Sequence, residues 1–290
     1  METFEITVDD RCYGRLVFDG LEAGPPAGEL VLLLHGFPQT AWCWRNQLPV
    51  LAAAGYHAIA PNQRGYAPGA RPIDVAAYSS AALTQDVLAI ADTFGAHRFH
   101  LVGHDWGGAI AWQVAGRFGH RLRSLTVLST PHPKAFGMAL GVVGDSGPTD
   151  QVQRSSYIEI FRAEGSELGM LANEAAGLRL VLEGTGLSHE QAAPYLDALG
   201  TPEALRAALN WYRAADLSLV EGLGPIKTPT LYVWSTEDPA LGPDAARATA
   251  NCVEGPYRFE VLKGVSHWIA EQAPEELNRL LLDHLRTATD

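Results

Sequence analysis

The chain has 290 residues, 47% of them apolar, which is enough for one large domain with a sizeable core and an inserted lobe. Its 33 acidic against 21 basic side chains give a formal net charge of -12, which argues against a nucleic-acid partner because phosphate binding needs a basic surface. Cys12, Cys43 and Cys252 are odd in number and widely spaced, so neither a disulfide framework nor a structural zinc site underlies the fold.

The opening stretch, METFEITVDD, is acidic and lacks an apolar h-region, so no signal peptide is expected. The longest aliphatic run, Leu30–Leu34, is too short to span a bilayer. A cytoplasmic location without membrane contact is therefore the expectation. Thr3–Val8 and Arg11–Phe18 read as a hairpin at a sheet edge. Leu30–Leu34, Tyr56–Ala60, Phe99–Val102, Ser124–Leu128, Thr230–Trp234 and Phe259–Leu262 are short apolar runs ending in turn residues. Such runs suit strands buried on both faces of a parallel sheet. Amphipathic helical stretches fall between most of them, over 40–54, 80–94, 107–118, 243–252 and 274–287. Alternation of strand and helix predicts an α/β fold with a mostly parallel, eight-stranded sheet flanked by helices. From Pro131 to about Pro225 the pattern is helical only. That stretch is predicted to be a helical cap (131–225) inserted after the sixth strand into a core formed by 1–130 and 226–290. It would cover the C-terminal strand ends, where open α/β sheets place their ligands.

The strand Phe99–Val102 runs into Gly103-His104-Asp105-Trp106-Gly107-Gly108 and then into a helix. This matches the G-x-nucleophile-x-G elbow of the α/β-hydrolase fold, with aspartate in the nucleophile position. The competing reading is a tight turn whose aspartate only caps the helix; the strand before and the helix after favour the elbow. An aspartate carboxylate, with an ordinary pKa of about 3.9, needs no base before it attacks. Attack on saturated carbon makes an ester, which water can then hydrolyse. A serine attacking the same carbon would leave an inert ether, so aspartate here predicts displacement at saturated carbon rather than acyl transfer.

Thr230–Trp234 leads into Ser235-Thr236-Glu237-Asp238-Pro239, and Phe259–Leu262 into Lys263-Gly264-Val265-Ser266-His267-Trp268. Asp105, Asp238 and His267 stand in the nucleophile–acid–base order of this fold. His267 would deprotonate the attacking water, with Asp238 orienting its ring. Glu237 is a rival for the acid and Asp150 a weaker one. The loop Leu34-His35-Gly36-Phe37-Pro38 would supply the Phe37 amide to an oxyanion hole, with the Trp106 amide as its second donor. His35 and His104 read as structural. So does the pair His97/His100, which lacks a third ligand, and no metal or organic cofactor is expected.

His35-Gly36-Phe37-Pro38, Gly103-His104-Asp105-Trp106-Gly107-Gly108 and Gly264-Val265-Ser266-His267-Trp268 together resemble epoxide hydrolases of the α/β-hydrolase superfamily, whose relatives include haloalkane and fluoroacetate dehalogenases. The resemblance covers nearly the whole chain. It implies opening of an epoxide to a vicinal diol, with two cap tyrosines protonating the leaving oxygen. Tyr157, in Ser156-Tyr157-Ile158-Glu159-Ile160-Phe161, is similar to the first of these, and Tyr212, in Leu209-Asn210-Trp211-Tyr212-Arg213, to the second. The alternative for both is packing of the cap on the core. Tyr195 is a third cap tyrosine without such a context. Phe37 and Trp106 stand where haloalkane dehalogenases commonly have Asn and fluoroacetate dehalogenases Arg. A dehalogenase using the same Asp–His–Asp set remains the alternative, since the Trp106 indole could hold a halide. A small-molecule receptor without turnover is a further one. The substrate expected is a small apolar or aromatic epoxide, contacted by Trp106, Phe37, Pro38, His132, Trp211 and Trp268; a structural role for His132 is the competing reading. The cap entry, Gly137 to Gly147, is rich in glycine and small apolar residues, and a homodimer is left open.

Overall fold

The computed structural model describes residues 1–144, 147–216 and 219–288. The chain opens with strands β1 (Glu2–Asp10) and β2 (Gly14–Ala23), an antiparallel hairpin in register from Glu2 opposite Glu22 to Asp10 opposite Gly14. The second strand starts later than its apolar pattern suggests. The Asp10 carboxylate accepts hydrogen bonds from the Cys12 and Tyr13 amides, which curls Arg11–Tyr13 into a turn that ends on Gly14 at a φ of 77°.

The remaining strands are β3 (Leu30–Leu34), β4 (His57–Pro61), β5 (Phe99–His104), β6 (Leu122–Leu128), β7 (Thr230–Ser235) and β8 (Tyr257–Leu262). They form one eight-stranded sheet in the order β1-β2-β4-β3-β5-β6-β7-β8, parallel from β4 to β8 and antiparallel where β2 meets β4. β3, β4, β5 and β7 are buried along their whole length, as their unbroken apolar runs require. β8 departs from that expectation. It is the edge strand and is only half-buried.

Helices α1 (Leu48–Ala53), α2 (Ser80–Thr93) and α3 (Trp106–Phe118) lie within the first half of the core. The helix predicted over 40–54 is split: a 3-10 turn at Ala41–Trp44 precedes α1. Pro49 has no amide hydrogen to carry a helix through from Thr40, so it is accommodated only in the first turn of a new one. Among the described residues, the helices α4 (Pro133–Ala139), α5 (Gln151–Arg154), α6 (Tyr157–Arg162), α7 (Ser166–Leu182), α8 (His189–Leu199) and α9 (Pro202–Ala214) are inserted between β6 and β7. α7 is broken in its middle, where Asn173, Glu174 and Ala175 take left-handed φ values. α8 begins with a capping box made by Ser188 and Gln191. α10 (Pro243–Ala248) tightens into a 3-10 turn over Thr249–Cys252, and α11 (Ile269–Gln272) and α12 (Pro274–Thr287) close the chain against the sheet.

The inserted helices are anchored to the core. The Trp211 indole of α9 donates to the Arg64 carbonyl at 2.8 Å. The Arg64 guanidinium in turn pairs with both carboxylate oxygens of Asp86 on α2, at 2.6 and 2.7 Å, and with Asp10 at the end of β1. Among the described residues no helix is long and apolar enough to cross a membrane.

Candidate active site

β5 ends at His104, and Asp105 is the residue between it and α3, with φ 51° and ψ -120°. A side chain is strained in that region, and the tightness of the turn explains the strain. A Cβ on Gly107 would press on the Leu34 and His35 carbonyls, one on Gly103 on the Gly107 backbone, and one on Gly36 on the Asp105 side chain itself. The Thr130 hydroxyl donates to the Asp105 carbonyl at 2.7 Å and braces the turn from β6's side. Sequence reading placed Thr130 in the loop Thr130-Pro131-His132-Pro133, which resembles members of the family, but gave it no role.

The Asp105 carboxylate lies under the amides predicted to form the oxyanion hole. Phe37 N–H donates to Oδ1 at 2.8 Å, and the Trp106 amide also bonds the carboxylate. Burial raises the Asp105 pKa, while His267 and these two amides pull it down. His267 stands beside it with Nε2 3.7 Å from Asp105 Oδ2 and Nδ1 2.8 Å from Asp238 Oδ2. Asp238 is fixed by the Ala240 and Leu241 amides, which donate to Oδ1 at 2.9 and 3.0 Å. Burial pushes the His267 imidazole down, but Asp238 first and Asp105 second overcome it and lift the pKa to about 9. The imidazole at rest is therefore a cation between two carboxylates. Of the rival acids, Glu237 is exposed and bonds Thr236, and Asp150 is exposed and pairs with Arg154, so neither faces the ring.

A cavity of about 500 Å³ opens above Asp105. Asp105 and Trp106 line it from the elbow, and Tyr157 and Tyr212 from α6 and α9. Phe136, Leu140, Ile158, Leu219, Val220 and Leu241 are among its apolar walls, and sequence reading gave none of them a substrate contact. The Tyr212 ring stands edge-on to Trp106 at 5.0 Å and to Phe37 at 5.3 Å, and the two tyrosine rings are 6.3 Å apart. Burial first and the Asp105 charge second raise the Tyr157 hydroxyl, and a hydrogen bond with Tyr212 counters them. Tyr212 is raised by burial, then by Tyr157 and Asp105, with the Trp106 indole pulling the other way.

Several residues expected to contact substrate lie elsewhere. Trp211 is buried against Tyr66 with its indole N–H spent on Arg64, because α9 buries both of its flanks at that level. Trp268 packs behind His267 and donates to Thr185 Oγ1 at 3.0 Å. His132 is the N-cap of α4, where its Nδ1 accepts from the Lys134 amide, and it lies against Trp112. Pro38, joined to Phe37 by a cis peptide bond, is buried outside the cavity wall, and the Phe37 ring packs on Phe161 and Tyr212. Of the named set, Trp106 alone lines the cavity. His35 is structural as expected: its Nδ1 lies 3.0 Å from the Gly36 carbonyl and its Nε2 accepts from the Gln63 amide. His97 is exposed while His100 is buried against Ser124, so they do not form a pair. Among the described residues no group of three or more His, Cys, Asp or Glu could hold a metal ion.

The model of the alpha/beta hydrolase fold family matches residues 29–150. Epoxide hydrolase A of Mycobacterium tuberculosis is 31% identical over 91% of this chain and 92% of its own length. This chain belongs to the epoxide hydrolase family of α/β-hydrolases. Epoxide hydrolase 4 of Mus musculus is 30% identical over 96% of this chain and 80% of its own length. The crystal structure of epoxide hydrolase A from Mycobacterium thermoresistibile superimposes on this epoxide hydrolase family member with a TM-score of 0.82, at 29% identity over 98% of each chain. The eight-stranded sheet with its inserted helices, expected from the sequence, is thus the architecture of the family.

Proposed function

We propose that this enzyme opens an apolar or aromatic epoxide to a vicinal diol through a covalent ester on Asp105. The observation that carries the reading is the sharing of one apolar cavity by the Asp105 carboxylate and the Tyr157 and Tyr212 side chains. An epoxide oxygen leaves as a strongly basic alkoxide and needs a proton donor, whereas a halide needs none. Residues 131–225 then serve as a cap domain that presents the two donors to a core formed by 1–130 and 226–290.

The charges support the order of steps. Asp105 attacks an epoxide carbon while Tyr157 and Tyr212 hydrogen-bond the oxygen and give it a proton. The new ester is neutral. Its formation removes the Asp105 charge, one of the causes that raise both tyrosines and His267. The imidazolium then passes its proton, relayed by solvent, to the tyrosinate left by the first step, and the neutral imidazole becomes a base for water, with Asp238 still orienting it. Water adds to the ester carbonyl, the Phe37 and Trp106 amides hold the oxyanion, and the diol leaves with Asp105 restored.

Single turnover of a styrene oxide-type substrate in oxygen-18 water, followed by mass measurement of the Asp105 peptide, tests this route. Label in the carboxylate is expected. Turnover that leaves the carboxylate unlabelled would mean direct attack of water on the epoxide and would end the proposal.

A further inference from the structure

A buried polar chain outside the cavity wall has no part in the steps above. Glu271, on α11, has a fully buried side chain. The Tyr195 hydroxyl of α8 donates to its Oε1, Gln39 Nε2 donates to its Oε2 at 2.7 Å, and Arg45 Nη1 lies 3.4 Å from Oε1. On the other side of Gln39, its Oε1 is 3.0 Å from His104 Nδ1, and His104 Nε2 is 2.9 Å from the backbone carbonyl of His267. The chain thus runs from Tyr195 on α8, through Glu271 on α11, Gln39 in the loop after β3 and His104 at the end of β5, to the backbone of His267.

Counting donors along it gives a result that no motif contains. Both partners of His104 are carbonyl oxygens, which only accept, so in this orientation of Gln39 both ring nitrogens must carry hydrogen. Turning the Gln39 amide over leaves its shape unchanged and lets Nε2 donate to a neutral His104. The amide oxygen then faces Glu271 and requires a hydrogen on that carboxyl. Either way the chain holds one proton more than a neutral imidazole plus a carboxylate. The surroundings decide where it rests. The His104 ring is 4.6 Å from the His267 ring, and burial first and the charge of that neighbour second push His104 down, while its hydrogen bond to the His267 carbonyl opposes them. Burial pushes the Glu271 carboxyl up, although Tyr195, Arg45 and Gln39 oppose the shift. The Cys43 thiol, also facing Glu271, is itself pushed up by burial and stays neutral.

We propose that Glu271 carries this stored proton and, through Gln39 and His104, is a positioning residue that fixes the backbone of His267 for hydrolysis of the ester. The proposal rests on the reading of His267 as the base. Glutamine at 271 reproduces the protonated acid: its oxygen accepts from Tyr195 and its amide donates to the turned Gln39. In rapid-quench kinetics, Glu271→Gln should keep ester formation and ester hydrolysis within about threefold of the parent. Glu271→Leu should slow hydrolysis by about tenfold or more, the equivalent of one or two lost buried hydrogen bonds, with ester formation within about threefold. Ester formation also reports that the variant is folded; should Glu271→Leu not fold, Gln39→Met carries the same expectation. Hydrolysis as slow in Glu271→Gln as in Glu271→Leu would overturn the proposal, and so would parental hydrolysis in Glu271→Leu. A second measurement needs no epoxide. In protein labelled with nitrogen-15 histidine, the His104 signals, assigned by their loss in His104→Gln, should be those of a neutral ring protonated on Nε2. A doubly protonated His104 at neutral pH would place the proton away from Glu271 and refute the assignment, whatever the substrate.

Discussion

Asp105 and Asp238 address the same imidazole from opposite nitrogens, and only Asp105 is consumed in the proposed reaction. The imidazole titrates near 9 in the resting protein, above its ordinary value of 6.5. A raised pKa means that the ion set stabilises the fold fully below about 6.5 and loses that contribution as pH rises through 9. The thermal midpoint of the parent should fall across this interval, and His267→Gln should flatten that fall; parallel curves would contradict the linkage. The same variant should accumulate the substrate adduct on Asp105, detectable by intact mass, with turnover lowered by about 10²- to 10⁴-fold. Tyr157→Phe and Tyr212→Phe should act on the other half of the reaction. Each should slow ester formation by about tenfold or more, and leave hydrolysis of a preformed ester near the parental rate. Equal slowing of both steps would instead mark the tyrosines as packing residues.

The elbow is one level up, and its glycines have unequal tasks. Gly107 has carbonyl oxygens where a methyl group would go, whereas Gly169, itself exposed in the first half of α7, has nothing near it. Gly107→Ala should cost about 1–3 kcal/mol in urea unfolding and displace the nucleophile. Gly169→Ala should be neutral or stabilise by about 0.5–1 kcal/mol. The elbow, the acid and the base were legible because each follows a short apolar run that forms a strand, so position along the chain also fixes position in space. Helix faces were less legible. In α9, Leu209, Asn210, Trp211 and Tyr212 are all buried, and nothing in their order tells which ring meets the cavity. Tyr212 reaches it while Trp211 serves the core. The role of Glu271 was illegible for another reason: its partners come from residues 39, 45 and 195, which no local pattern links.

Across the whole molecule, Arg64 joins parts that are remote in sequence. Its guanidinium pairs with Asp86 and Asp10, and it also donates to the Ala77 carbonyl at 2.8 Å. Arg64→Met would leave Asp86 buried without its partner, at a cost of about 3–5 kcal/mol measurable by chemical denaturation. A loss below about 1 kcal/mol would mean that the carboxylates find other partners. The loop of His267 is tied to the inserted helices as well, through Trp268 to Thr185, Gln272 to the Gly186 carbonyl and Glu271 to Tyr195. The cavity walls come from different stretches: Phe136 and Leu140 near α4, Leu219 and Val220 in the return to β7. These four walls therefore lie on lengths of chain other than those that carry the reactive groups. Libraries confined to those four wall positions could remould which guest is admitted, and which of its two ring carbons is presented, while the reacting apparatus is inherited untouched.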